Sequence, residues 1–180
     1  FLKKGIVPGE VEKIEAACED AKVELGYENG VQQVYLNGEN ITSQLREEAV
    51  GNMASVSSAV PAVRAKLLDL QRNLAKEKDV VMDGRDIGTN VLPNADVKIF
   101  LTASAESRAK RRYDELCEKG IECDFEKIKA DMEYRDKNDS QRAVAPLKKA
   151  DDATLIDTTE YDFDGAVKLV KDLILEKTEG

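Results

Sequence analysis

The chain has 180 residues, 42% hydrophobic and 35% charged, which is enough to bury a core and argues against disorder; the length favours one domain, or one domain with an appendage. Its 27 basic and 36 acidic side chains give a formal charge of −9, the wrong sign for gripping nucleic acid or an anionic membrane over a broad face, so an anionic ligand needs a local cluster. The absence of histidine excludes Ser-His-Asp, Cys-His and histidine acid–base mechanisms, and three cysteines without a C-x-x-C pair give no structural zinc pattern. No window approaches the roughly 20 apolar residues of a membrane span, and Phe1 to Gly9 lacks a signal-peptide core, so the cytosol is the expected compartment.

In chain order, Val11, Ile14 and Cys18 step by three and four behind Pro8 and predict a short amphipathic helix over residues 8–18. Residues 22–26, 31–36 and 39–42 read as three short strands divided by Asn29-Gly30 and Asn37-Gly38. Both pairs tolerate the positive φ of a tight hairpin turn, so residues 22–42 form an antiparallel meander. Val63, Leu67, Leu70 and Leu74 stripe a helix over 61–76, with Pro61 in its first turn.

Beyond that helix the texture changes to strands alternating with helices. Residues 80–82 and 97–101 read as strands, Ser104 caps a helix ending near Gly120, and Asp124 caps another that runs through Arg135. A strand over 154–157 and a closing helix over 166–176 follow. The alternation predicts an α/β fold with a parallel sheet and flanking helices, into which the three-stranded meander is inserted.

Three constellations stand out. Asp83-Gly-Arg-Asp-Ile-Gly-Thr89 follows directly on a predicted parallel strand, at the end where open α/β sheets place ligands. Its plain alternative is a polar turn in which Arg85 pairs with a nearby carboxylate. Five of the nine arginines, Arg108, Arg111, Arg112, Arg135 and Arg142, fall within 35 residues, and their planar forks match phosphate oxygens. The first three, at i, i+3 and i+4 beside Glu115, also fit a solvated helix face, whereas Arg135-Asp136-x-x-Asp139-x-x-Arg142 runs out of a helix into a loop at Ala145-Pro146-Leu147. Ser55 and Arg64 flank Pro61 and would alone carry little.

Taken together, Ser55 to Arg64, Gln71-Arg72, Asp83 to Thr89, Val97 to Ser104, Arg108-Ala-x-Arg-Arg112 and Arg135 to Leu147 resemble the bacterial cytidylate kinase (CMP kinase) family over nearly the whole chain. The resemblance implies a nucleoside-monophosphate kinase fold: an acceptor-binding domain over 1–77 that includes the meander, a core over 78–124 and 148–180, and a helical lid over 125–147. It implies ATP-dependent phosphorylation of CMP or dCMP, with magnesium entering with ATP; the residues themselves give no metal site, the charge argues against nucleic-acid or membrane partners, and the charge pattern with the lack of a long apolar stripe favours a monomer. Ser55, Arg64 and Asp86 would surround cytosine, with Asp86 accepting from N4 while Arg64 and Ser55 donate to N3 and O2, a pattern uracil cannot match. Arg85, Arg135 and Arg142 would hold phosphates, Asp139 the ribose, and Arg111 and Arg112 the phosphates of ATP.

The family opens with a strand, a loop of the form G-x-x-x-x-G-K-[ST] and a helix, and no Gly-Lys-Ser or Gly-Lys-Thr occurs here. The expectation is therefore an N-terminally truncated chain, its first strand and phosphate loop (P-loop) absent, its sheet left open, and its own activity close to nil. The alternatives are a kinase for another nucleoside monophosphate and a nucleotide-binding module without catalysis.

Overall fold

The Asn-Gly pairs turn as the sequence predicts. In the computed structural model, which describes residues 1–179, Asn29 and Asn37 take φ of 52° and 51°, and Gly30 and Gly38 follow at 77° and 82°. They join β1 (Val23–Glu28), β2 (Val31–Leu36) and β3 (Glu39–Asn40) into an antiparallel sheet in the order β1-β2-β3, with Val23 opposite Leu36 and Tyr35 opposite Asn40. The third strand is shorter than the predicted 39–42 because Thr42 leaves the ladder for a 3₁₀ turn. Its hydroxyl then accepts the Val34 N–H at 2.8 Å.

The chain divides into two compact units, Phe1–Asp79 and Val80–Gly180. The first also contains α1 (Val11–Glu19), α2 (Glu48–Ser57) and α3 (Pro61–Glu77). Helix α1 begins three residues later than predicted: Gly9 holds φ 96°, which a helix cannot contain, and the Glu10 carboxylate accepts from the Val7 N–H at 3.0 Å. Pro8 therefore lies in a turn ahead of the helix. Ile6, Ile14, Ala17, Cys18, Val60 and Val63 form the core between α1 and α3. Lys66 Nζ donates to the carbonyls of Cys18 and Glu19 at 2.6 and 2.7 Å, satisfying the end of α1.

The second unit is built on a parallel pair, β4 (Ile99–Thr102) and β5 (Thr154–Asp157), with Ile99 opposite Thr154 and Thr102 opposite Asp157. Helices α4 (Ala105–Glu118) and α5 (Phe125–Gln141) connect the two strands, and α6 (Phe163–Glu179) follows. Ser104 Oγ accepts from Ser107 N and Asp124 Oδ1 from Lys127 N, so both predicted caps form; Gly120, at φ 69°, follows α4.

Three expectations are corrected in this unit. Residues 80–82 are not a strand: an apolar run needs a ladder partner, β4 pairs only with β5 among the described residues, and Val81 is 94% exposed. Helix α5 runs six residues past Arg135, held by side-chain ties that a hydrophobic stripe does not report, among them Ser140 Oγ to Asp136 O at 2.8 Å. Helix α6 begins at Phe163 because Asp162 Oδ1 accepts from Gly165 N at 2.8 Å and so stands at the helix start. No helix among the described residues is long and apolar enough to cross a membrane.

Candidate active site

The Asp83–Thr89 segment folds around a rare element. Ile87–Val91 forms one π-helical turn, closed by Val91 N to Asp86 O and Leu92 N to Ile87 O at 3.3 and 2.7 Å. Gly84 is glycine for a steric reason, since a Cβ there would stand 2.9 Å from Ile87 Cγ1. The turn delivers Arg85 and Asp86 as consecutive polar groups. Asn90 Nδ2 donates to Asp86 Oδ2 at 3.1 Å and orients its carboxylate.

Helix α5 and its C-cap supply the facing charges. Asp139 is 6% exposed and accepts from Arg85 Nε at 2.9 Å, while its other oxygen lies 4.0 Å from Arg142 Nη1. Arg142 donates from Nε to Ala145 O at 2.6 Å and sets Nη2 at 3.5 Å from Asp86 Oδ1. That last approach is within ion-pair range but lacks hydrogen-bond geometry, so Nη2 is buried without an acceptor. A buried guanidinium nitrogen left in that state costs about 1–3 kcal/mol and invites an oxygen ligand. Ala145, at φ 47°, turns the chain there, and Leu147 N returns to Asp139 O at 2.8 Å.

Helix α4 completes the surround. Arg108 lays a two-pronged pair on Asp136, 3.1 and 2.5 Å, and donates from Nε to Ala103 O at 3.0 Å. Arg111 reaches the carboxyl end of β5 and donates to the carbonyls of Thr158 and Tyr161 at 2.5 and 3.1 Å. Thr158 is itself buried, with its hydroxyl on Thr102 O at 3.0 Å. Arg85, Arg108, Arg111, Met132, Arg135 and Asp136 line a cleft of about 270 Å³. Four guanidinium groups against Asp136, and against Asp139 on Arg85, leave a local excess of two positive charges in a chain of net charge −9. Arg135 is exposed there and has no ion pair among the described residues. Such a cleft suits a polyanion with several phosphate oxygens.

Arg112, one position from Arg111, is not in that lining. It donates to Glu115 Oε2 at 2.8 Å on its own helix, and Lys119 approaches the other oxygen at 2.5 Å. Lys119 and then Arg112 hold the Glu115 carboxyl down at about 2.

The first unit brings Ser55 and Arg64 to one corner between α2 and α3. Arg64 Nη1 donates to Ser58 O at 3.3 Å, and Ser58 Oγ donates to Ser55 O at 2.7 Å. Helix α2, which carries Ser55, has no clear apolar stripe and was not predicted. Asn90, Asp136 and Thr158 were likewise not assigned roles from sequence. Only Thr158 carries a positional signal, lying just past the carboxyl end of a predicted strand.

Fold and site together define an α/β protein with an arginine-lined cleft beside the carboxyl ends of parallel strands. The family model described as "Cytidylate kinase" matches residues 1–176. The chain is 45% identical over 179 residues to the cytidylate kinase of Anoxybacillus flavithermus, covering 99% of this chain and 80% of that relative. It is 51% identical over 145 residues to the cytidylate kinase of an Exiguobacterium strain, covering 81% and 65%, and 45% identical over 172 residues to that of Caldicellulosiruptor saccharolyticus, covering 96% and 76%. The chain belongs to the cytidylate kinase family.

Proposed function

We propose that this chain serves ATP-dependent phosphorylation of CMP or dCMP to the diphosphate. The observation that carries the reading is the cleft lined by four arginines, of which Arg85 is the residue next to Asp86 in the chain. In the reaction, an oxygen of the acceptor's phosphate attacks the γ-phosphorus of ATP, the bond from that phosphorus to the bridging oxygen breaks, and ADP leaves. No covalent intermediate is required, so the protein's work is positioning and charge neutralisation. Magnesium arrives with ATP as the co-substrate complex and offsets charge between its phosphates.

Arg85, Arg135 and Arg142 are assigned to phosphate oxygens, with Arg85 pre-set by Asp139 and Arg142 holding an unmatched donor. Arg111 is assigned to the phosphates of ATP, a role Arg112 shares only by releasing Glu115. Asp139 keeps lone pairs for a ribose hydroxyl beyond its bond to Arg85. Asp86 is assigned to the cytosine amino group, and Ser55 and Arg64 to O2 and N3. Uracil presents the opposite pattern at positions 3 and 4, which leaves buried groups unpaired and discriminates strongly. Residues 125–147 act as the lid, excluding water that would otherwise hydrolyse ATP, and residues 1–77 as the acceptor-binding domain. The reading carries with it a monomeric cytoplasmic enzyme with small nucleotides as partners, supported by the acidic net charge.

The test is product analysis with a sample whose intact mass matches these 180 residues, supplied with MgATP and either CMP or UMP. Little product is expected from the chain itself, which carries no G-x-x-x-x-G-K-[ST] loop, and what forms is CDP with little UDP. Equal formation of both would identify a kinase of other specificity, and no product from either would reduce the chain to a nucleotide-binding module.

A further inference from the structure

Away from the cleft, two of the three cysteines meet across the turn that joins α4 to α5. Cys117 lies in the last turn of α4 and Cys123 immediately precedes the Asp124 cap of α5, yet their sulfurs are 4.0 Å apart. Gly120 makes this possible by taking φ 69° between them. Cys117 is exposed and Cys123 half-buried, 3.9 Å from the Tyr113 carbonyl, while Cys18 is buried in the core of the other unit. A disulfide needs its sulfurs at about 2.05 Å, so closure requires an approach of about 2 Å, within reach of side-chain rotation. A metal site is a poorer reading, because no group of three or more His, Cys, Asp or Glu able to hold an ion occurs among the described residues.

We propose that Cys117 and Cys123 are a redox-modifiable pair that closes reversibly into an intrachain disulfide, stapling the turn between α4 and α5. The oxidant is a low-molecular-weight disulfide. The Cys117 thiolate attacks one of its sulfurs, the S–S bond breaks, and one small thiol leaves with a proton. The Cys123 thiolate then attacks the Cys117 sulfur of the mixed disulfide, the protein S–S bond forms, and the second small thiol leaves. Two protein thiols are oxidised and one small disulfide is reduced to two thiols. Exposure makes Cys117 the opening nucleophile. Burial, then the neighbouring Cys117, push the Cys123 thiol up, which leaves Cys117 to open the exchange while the 4.0 Å separation of the sulfurs places Cys123 for the second step.

The staple acts on more than the turn. Helix α4 carries Arg108 and Arg111, and α5 carries Arg135 and Asp136, so the disulfide restrains the connection between the two helical walls of the cleft. The edge-to-face pair of Tyr113 and Phe125 already holds the same junction, with ring centroids 6.1 Å apart.

The experiment treats the folded full chain with oxidised glutathione and follows intact mass, peptide map and amide hydrogen exchange. The expected product has lost two hydrogens, yields one peptide pair joining Cys117 to Cys123, leaves Cys18 unmodified, and reverts with dithiothreitol. Exchange over residues 118–122 slows at least severalfold on oxidation. Cys117→Ser and Cys123→Ser each stop at one glutathione adduct and show no such slowing. Glutathione retained on both cysteines, cross-linked dimers, a bond to Cys18, or no reaction would each overturn the proposal.

Discussion

The arginine cleft of the second unit and the α2–α3 corner of the first hold their polar side chains by different means. In the cleft the ties are distant in sequence: Arg85 to Asp139 spans 54 positions, Arg111 to Thr158 spans 47, and Arg108 to Asp136 spans 28. In the corner, Ser55, Ser58 and Arg64 are linked over spans of three and six positions. A site made from distant ties exists only once β4, β5, α4 and α5 are assembled, and each tie matters because its loss strands a charge. The links among Ser55, Ser58 and Arg64, by contrast, follow from one helix–turn–helix.

The sharpest way to break this comparison is Asp86→Ala. It removes the acceptor assigned to the cytosine amino group, and CMP affinity should fall roughly a hundredfold, about 3 kcal/mol, with UMP affinity unchanged in parallel titrations. Asp139→Ala tests the distant ties themselves. With its carboxylate gone, Arg85 and Arg142 lose a shared partner, and urea unfolding should show a loss of about 2 kcal/mol. The partial exposure of Arg85 keeps that figure below the cost of breaking a fully buried pair.

The corner should respond in the opposite sense. Arg64→Ala should weaken CMP binding about tenfold, because a charged bond to a ligand is lost, and should cost less stability than Asp139→Ala, whose removal strands two guanidinium groups. A stability loss as large as that of Asp139→Ala would erase the distinction between the two regions.

The smallest expected effect concerns Glu115, whose carboxyl is held at about 2 in the folded chain against an ordinary 4.5. A depressed folded value means that the unfolded chain takes up the proton first. The contribution is therefore complete above about pH 4.5 and is lost as pH falls toward 2. Because the pair is solvated, Glu115→Gln should flatten the acid limb of the stability curve between those values by under about 1 kcal/mol.

Local signals made the meander, the two helix caps and α3 legible, because Asn-Gly, Ser104, Asp124 and Pro61 act through neighbouring backbone. The Asp83–Thr89 segment stands out in the sequence by its place after an apolar run, even though residues 80–82 form no strand. What escaped is what depends on assembly. Nothing near Asp136 in sequence names Arg108 as its partner, and the π-helical turn that presents Asp86 has no periodic signature. Arg111 and Arg112 look alike in sequence and differ only because one helix face meets the end of β5 and the next finds Glu115.

The most direct measurement is a calorimetric titration of the chain with CMP, UMP and cytidine. If the cleft holds the phosphate and Asp86 reads the base, CMP releases heat, UMP little, and cytidine binds on the order of a hundredfold more weakly than CMP for want of its charge-assisted bonds. Equal heats from CMP and UMP, or cytidine binding as tightly as CMP, would contradict the account.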